Sequence, residues 1–480
     1  MKTLMTWKRW AGCGMLALLV LSTKVHATPD IPDPSAEHWR AVSRFGYGPS
    51  ASATAGEAQG RAWALAELER ARIAAQQPAA VPEAMRGFEV SLPELYAQDK
   101  ADDAQRRERL KTLPPGEPQP VRLATQLAQQ AANWQLAACS RPTLENPLLA
   151  RMTEFWFNHL NVSTTKDSVR PYVGHYVLNV IRAHALGRFE DLLLASARHP
   201  AMLFYLDQVD SVAETNSKTK DKRGLNENYA RELMELHTLG VHGGYTQQDV
   251  RELARMLTGW TTGFENHENG FRFAADRHDQ GEKTWLGQQV QAQGVAEGEE
   301  AIRRLARHPA TAQRISWRLA QWFVADTPPP ALVQRLAQRY LDTGGDIAAV
   351  MRSLIESPET WDSQYVLFKT PMDFTCSTMA LLGGADEARL LQRSNSFLRA
   401  AGQGVHTWLT PDGYPTDAAH WLSPEALTRR ADFAFVAGRQ LTQMDALTLW
   451  LSPQTWQRIQ KEPAYQQAGL ALSSPEWMYK

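Results

Sequence analysis

The sequence predicts a mainly α-helical protein: a multi-helical globular domain with a small β-hairpin inserted near residues 265–290. Three observations carry that prediction. The strong helix formers Ala, Leu, Gln, Arg and Glu recur in long runs, and clusters of β-branched residues are few. Several of these runs are amphipathic at helical spacing. One stretch, Asn226 to Trp260, reads as two helices joined by a glycine-rich turn, and it packs polar groups, carboxylates and turn residues together.

Taken in order, residues 1–27 read as a secretory signal. Lys2, Lys8 and Arg9 form a basic start, Trp10 to Leu21 an apolar run, and Val25-His26-Ala27 a cleavage site with small residues where they are needed. The apolar run falls short of the roughly 20 residues a spanning helix requires. Cys13 precedes the apolar core, which speaks against a lipid anchor, and the absence of paired arginines favours the general secretion route. The mature chain is therefore expected in the periplasm or outside the cell, cleaved near Ala27 and without a membrane anchor. The formal charge of −1 becomes −5 when Lys2, Lys8, Arg9 and Lys24 are removed with the leader. That balance points to no nucleic-acid partner and no anionic membrane surface. Cys139 and Cys376 then remain. They either pair in an oxidising compartment, worth about 4–5 kcal/mol on a chain-entropy argument, or stay as buried thiols.

The mature chain divides into an N-terminal helical segment (28–140), a main helical domain (141–440) and a C-terminal tail packed on it (441–480). The first portion holds helices over about 61–77, 93–111 and 121–139, with the proline-dense loop 113–120 between the last two. From Leu148 the pattern tightens. A helix closes on Glu154-Phe-Trp-Phe-Asn-His-Leu-Asn161, two more run over 172–186 and 189–197, and the charged loop Lys218–Gly224 leads into the central stretch. There Leu233, Leu236 and Leu239 mark an apolar helix face, and Gly240 sits where a left-handed cap is wanted. Thr246 and Asp249 fit a capping box, with Tyr245 and Val250 placed as a hydrophobic staple. Beyond it, Phe271–Phe273 and Lys283–Leu286 alternate apolar and polar around Arg277-His-Asp-Gln-Gly281, a loose hairpin signal. Helices return over about 297–308, 310–324, 331–342, 346–356 and from Pro424 to about Gly438.

Several of these segments resemble a known family. Asn226-Glu-Asn-Tyr-Ala-Arg-Glu-Leu-Met-Glu-Leu236, Thr238-Leu-Gly240 and Gly244-Tyr-Thr-Gln-Gln-Asp-Val250 look like the signature of the bacterial domain-of-unknown-function-1800 family. His199-Pro-Ala-Met-Leu203, His278-Asp-Gln-Gly-Glu-Lys283, His308-Pro-Ala-Thr-Ala312 and Pro411-Asp-Gly-Tyr-Pro415 resemble further family motifs, in the same order. The resemblance spans about Arg44 to Phe433. It implies an exported, largely helical protein, and as partner a co-encoded exported protein of the domain-of-unknown-function-1501 family, which is itself sulfatase- and phosphatase-like. It implies no reaction. Two positions depart from the family pattern: Phe157 stands where a histidine is usual, and His237 where an aromatic is usual.

Chemistry must then come from residues. Asn228, Glu232 and Glu235 share one helix face, and Glu227, Arg231 and Glu235 an adjacent stripe. Neighbouring carboxylates suit general acid–base work or a hard divalent metal ion; the bland alternative is an ion ladder in which Arg231 satisfies both glutamates. His278 and Asp279 on a turn suit a metal ligand or general base, with Lys283 for an anion, or else form an ordinary capped turn. Asn158 and His159 are weaker candidates for contacting substrate. Trp260 and Trp421 are candidates for stacking sugar rings, though tryptophans are more often core. No nucleophile elbow, P-loop, dinucleotide fingerprint or zincin helix is present. Two functions follow as expectations: an exported enzyme, a hydrolase acting on a glycan or other envelope polymer by carboxylate or metal-assisted chemistry, or a non-catalytic binding or assembly protein working with its exported partner.

Overall fold

The computed structural model describes residues 36–49, 59–214, 224–265, 269–384, 388–441, 444–448 and 450–480. The leader read in residues 1–27 and most of the charged loop before Gly224 lie outside these. Among the described residues no helix is long and apolar enough to cross a membrane.

Helix starts are written into the chain by short polar side chains followed by proline. Asn146, Thr370, Ser423, Ser452 and Ser474 each accept a hydrogen bond from a first-turn N–H, and each precedes a proline at the first helical position. The two His-Pro motifs work the same way. His199 Nδ1 accepts from Ala201 N at 3.1 Å and His308 Nδ1 from Ala310 N at 3.1 Å, so both histidines serve as helix caps. The capping box of Thr246 and Asp249 is formed, and Gly240 takes its left-handed conformation at φ +84°.

The result is mainly helical, with helices packed on helices around one contiguous set of buried apolar side chains that runs from Trp39 to Met478. The early helices Gly60–Ala75 and Leu123–Ser140 share that core with the later Pro371–Leu381. Cys139 and Cys376 are bonded, tying Leu123–Ser140 to Pro371–Leu381 across 237 residues of sequence. The chain end returns to the centre. Lys480 pairs its backbone with Leu367 in both directions, and its Nζ reaches Asp373 at 2.5 Å.

The expected single hairpin is corrected to two small antiparallel pairs. Trp260–Thr262 pairs with Phe271–Phe273, and Lys283–Trp285 pairs with Gln288–Val290. The strands assigned to each other at 271–273 and 283–286 do not pair, because Ala275–Arg277 forms a 3₁₀ turn between them. The second pair closes through Leu286 and Gly287, both at positive φ (48° and 72°), as a two-residue hairpin turn of this type demands. Leucine is a poor residue for that conformation. Asp249 Oδ1 accepts from Leu286 N at 2.7 Å and holds it there.

Three elements position the candidate site. The first is helix Glu227–Glu232, which widens into a π-helical turn over Leu233–Thr238. Thr238 Oγ1 donates to Leu233 O at 2.6 Å, and Gly240 N to Met234 O at 3.2 Å, so the widened turn keeps its carbonyls occupied. The second is helix Pro309–Phe323, whose Arg314 Nε donates to Leu236 O at 3.0 Å. The third is the loop Val405–Pro415.

Candidate functional site

The loop is held from below by the end of helix Pro147–His159. Asn158 Oδ1 accepts from Tyr414 N at 2.7 Å, while its Nδ2 donates to Tyr414 O at 3.0 Å. Asn161 Nδ2 donates to Thr410 O at 2.8 Å, and Tyr205 Oη to Leu409 O at 2.8 Å. Asn158 thus acts as a backbone clasp, and it is buried. What the clasp presents is Asp412, an exposed side chain whose Oδ1 accepts from Trp408 Nε1 at 3.0 Å and Thr410 Oγ1 at 2.5 Å.

Glu232 lies within electrostatic reach of Asp412, and Glu235 is its neighbour on the same helix. Both are partly buried, and among the described residues neither makes a hydrogen bond or ion pair. Burial raises Glu232 above the ordinary glutamate range. The Glu235 and Asp412 carboxylates push the same way, and Arg231 opposes them. Arg314 and Arg318, one turn apart on Pro309–Phe323, complete the cluster. Burial lowers both: Arg314 is partly supported by Tyr245 and Glu235, and Arg318, brought down to about 10, also feels Arg314 against it and Asp412 in its favour. The arrangement joins a carboxyl that stays protonated above its usual range, two further carboxylates and a guanidinium pair, with Trp408 bonded to Asp412 and packed on Tyr414.

The stripe beside it is closed in part. Glu227 accepts from Gln247 Nε2 at 2.6 Å and pairs with Arg231 at 3.4 Å, while Arg231 donates to Gln247 Oε1 at 3.0 Å. Glu235 is outside this network. Asn228 is exposed and its N–H is capped by Asn226 Oδ1 at 2.9 Å.

The His278–Lys283 segment is a separate, sealed assembly. His278 is buried, with Nδ1 2.8 Å from Thr258 O and Nε2 3.2 Å from Glu297 Oε1. Lys283 Nζ pairs with Glu297 Oε2 at 2.7 Å and donates to Asp279 O at 2.6 Å. Asp279 is gripped through both oxygens by Arg255 at 3.0 Å each. These groups spend their hydrogen-bonding capacity on one another, and no hydrogen bond or ion pair among the described residues joins them to Glu232 or Glu235. Trp260 and Trp421 are 0 % and 3 % exposed and offer no ring face to a ligand. His159 is buried and its Nε2 lies 3.0 Å from His237 O. Among the described residues no three His, Cys, Asp or Glu side chains are gathered as a metal ion would require. The divalent ion weighed from the sequence therefore finds no ligand set there.

The chain matches the family model described as Protein of unknown function (DUF1800) over residues 40–479. It belongs to that family. No curated protein and no solved structure matches it. Within this DUF1800 chain, the two departures from the family pattern are both interior. Phe157 packs against His406 with ring centroids 4.4 Å apart, and His237 is buried, its ring pushed down to about 3 by desolvation and by Arg314. Sequence reasoning missed Arg314, Arg318, Tyr205, Trp408 and Asp412. Asp412 was within reach, since it lies in the Pro411–Pro415 motif. So was the pair of arginines spaced four apart on one helix, where like charges repel.

The largest cavity described, about 390 Å³, lies elsewhere. His38, Trp63 and Trp450 line it, and its Glu67 is bonded to Asn146 at 2.5 Å.

Proposed function

We propose that this protein is an exported hydrolase that acts on a glycan or other envelope polymer by carboxylate acid–base chemistry. The observation that carries the reading is Glu232: a carboxyl raised by burial, next to Glu235 on its helix and facing Asp412 from the clasped loop. Carboxyls whose environments pull their protonation apart are what acid–base cleavage needs. Glu232 supplies the proton, Glu235 or Asp412 takes one from water or steadies developing positive charge, and Arg231 limits how far Glu232 is raised. Trp408 at the rim suits stacking against a sugar ring. The cysteine bridge supports export, since such bonds persist in oxidising compartments. His278, Asp279 and Lys283 hold the fold beside this site.

The test is release of reducing ends from a panel of neutral, uronic and sulfated polysaccharides by the mature protein. Glu232→Gln should lower the rate by roughly 10²–10⁴ while the fold is kept. The acid form of Glu232 is the active one, so the rate should fall as pH rises through its elevated pKa. The groups facing it that shape this limb are Glu235, Arg231 and Asp412, with Arg314, Arg318 and Tyr205 beyond them. No release from any polymer, or full activity in Glu232→Gln, would sink the reading.

A second reading has its own observation. The closed Glu227–Arg231–Gln247 network and the exposed Leu409 and Val241 beside the site suit a non-catalytic surface that docks a co-encoded exported partner of the domain-of-unknown-function-1501 family. Co-purification of that partner, unaffected by Glu232→Gln, would favour it.

A further inference from the structure

Arg318 is the arginine of the cluster that is left without a partner. Its Nε is shut off from solvent and has no hydrogen-bond partner, and among the described residues the guanidinium makes no hydrogen bond or ion pair. A desolvated guanidinium left without an anion is strongly unfavourable, which is why buried arginines are nearly always paired. Arg151, elsewhere in this molecule, shows the ordinary arrangement: it is ion-paired with Asp373 and donates to Ser43 O and Gly46 O. Arg318 has instead Arg314 one turn away, a like charge that worsens its position. Arg314 is itself anchored through Leu236 O, so its charge cannot swing clear. The nearest acidic side chain that favours Arg318 is Asp412, which is exposed and already engaged with Trp408 and Thr410. The side chain keeps a partly exposed edge, and the Asp412 whose charge it feels acts on Glu232 as well.

We propose that Arg318, flanked by Arg314, is an anion-binding subsite that takes a carboxylate or sulfate group carried by the substrate. A guanidinium matches the paired oxygens of either group, and the low-dielectric surroundings strengthen the pairing. The placement rests on the enzymatic reading only in naming the anion's carrier as substrate. Binding itself is independent of turnover and is measured without it. An anionic polymer would then be seated with its charged group on Arg318 and its neighbouring linkage towards Glu232. The substrate class narrows to uronate-containing or sulfate-esterified glycans.

The mature protein is melted in sodium chloride, sodium sulfate and sodium galacturonate at matched ionic strength, beside Arg318→Met and Arg318→Lys. The parent should gain a saturable rise of roughly 3 °C at a hundredfold excess of the recognised anion over its dissociation constant. Sulfate also stabilises proteins generally, so the readout is the difference between parent and Arg318→Met, which shares that background. Arg318→Met should lose the saturable response, and it should melt above the parent in chloride because an unpaired charge has been removed. Arg318→Lys keeps the charge and should retain part of the response; it serves if the methionine variant does not fold. A response to galacturonate alone assigns a uronate and to sulfate alone a sulfate ester; both support the subsite. Equal responses in parent and Arg318→Met, or none in the parent beyond chloride, overturn it. Loss of activity in Glu232→Gln with anion binding intact separates the two proposals. Anion binding without any polymer cleavage leaves the subsite standing and removes the hydrolase.

Discussion

Glu154 and Glu232 are both raised by desolvation, yet they stand in opposite relations to solvent. Glu232 is partly exposed. Glu154 is buried under a small cavity of about 40 Å³ lined by Phe157, Asn158, Trp322, Gln403 and His406, and Tyr47 Oη donates to it at 2.5 Å. Burial pushes Glu154 up to about 7, Asp373 adds to the push, and Arg151, Tyr47 and Lys480 oppose it. The sign follows from the folded state preferring the protonated form. Below about pH 4.5 Glu154 is protonated both folded and unfolded and costs nothing. As pH rises towards 7 the unfolded chain gains by ionising and the folded chain does not, so stability is lost across that window. Glu154→Gln keeps the acceptor for Tyr47 and cannot ionise. Its melting temperature relative to the parent should therefore climb between pH 5 and pH 8, approaching an advantage of about 3 kcal/mol as an upper bound. Lys369, lowered to about 7, titrates in both proteins and cancels to first order, whereas Lys480, lowered to about 8, loses the support of the Glu154 charge in the variant and trims the gain at the upper end of the window. A difference that is flat with pH would show that Glu154 ionises freely in the fold.

At the scale of elements, the clasped loop decides whether the site exists. Gly413 has φ +76°, and a Cβ there would lie 2.0 Å from Asn158 O. Gly413→Ala must therefore break the Asn158 clasp or strain the backbone, and Asp412 moves with it. The expected cost is roughly 2–4 kcal/mol in chemical denaturation, with the anion response of Arg318 weakened in the protein that remains folded. An unchanged melting curve would show that the loop is not clamped. This loop also marks the limit of what the sequence discloses. Helix starts were legible because a cap is a local bargain between one side chain and the next turn: Thr246 with Asp249, and Gly240 after Leu239, are formed as the spacing requires. Mainly helical architecture was legible for the same reason. Strand partners were not, since Leu286 adopts a turn conformation that its side chain disfavours and that only Asp249 stabilises. Nor was the division of labour among polar residues. Asn158 and His159 look like ligand contacts in one dimension and prove to bind backbone carbonyls and N–H groups brought in from about 250 and about 80 residues away. The composition of the Glu232 cleft depends on the same long-range folding, which no spacing rule conveys.

For the whole molecule, the Cys139–Cys376 bond is the covalent counterpart of a core that mixes early and late helices. It closes a loop of 237 residues around Pro147–His159, the central helix and Pro309–Phe323, so both helical elements of the site lie inside one covalent ring while the loop Val405–Pro415 lies beyond it. Cross-linking so long a loop removes many open conformations from the unfolded chain, about 5 kcal/mol on the chain-entropy model. Both cysteines are buried, at 6 % and 0 % residue exposure, with Cys139 lining the 390 Å³ cavity. The double variant Cys139→Ala/Cys376→Ala should therefore lose about 5 kcal/mol in urea, with a steeper denaturant dependence because its unfolded state is more extended. Below its melting range it should keep the anion response of Arg318, since neither sulfur lines the cleft. The bond also joins stability to location. Chain 28–480 directed to an oxidising compartment and denatured without reductant should show no titratable thiol, while the same chain held in a reducing cytosol should show both and unfold at lower denaturant. Two free thiols in the first would remove the bridge as a source of stability.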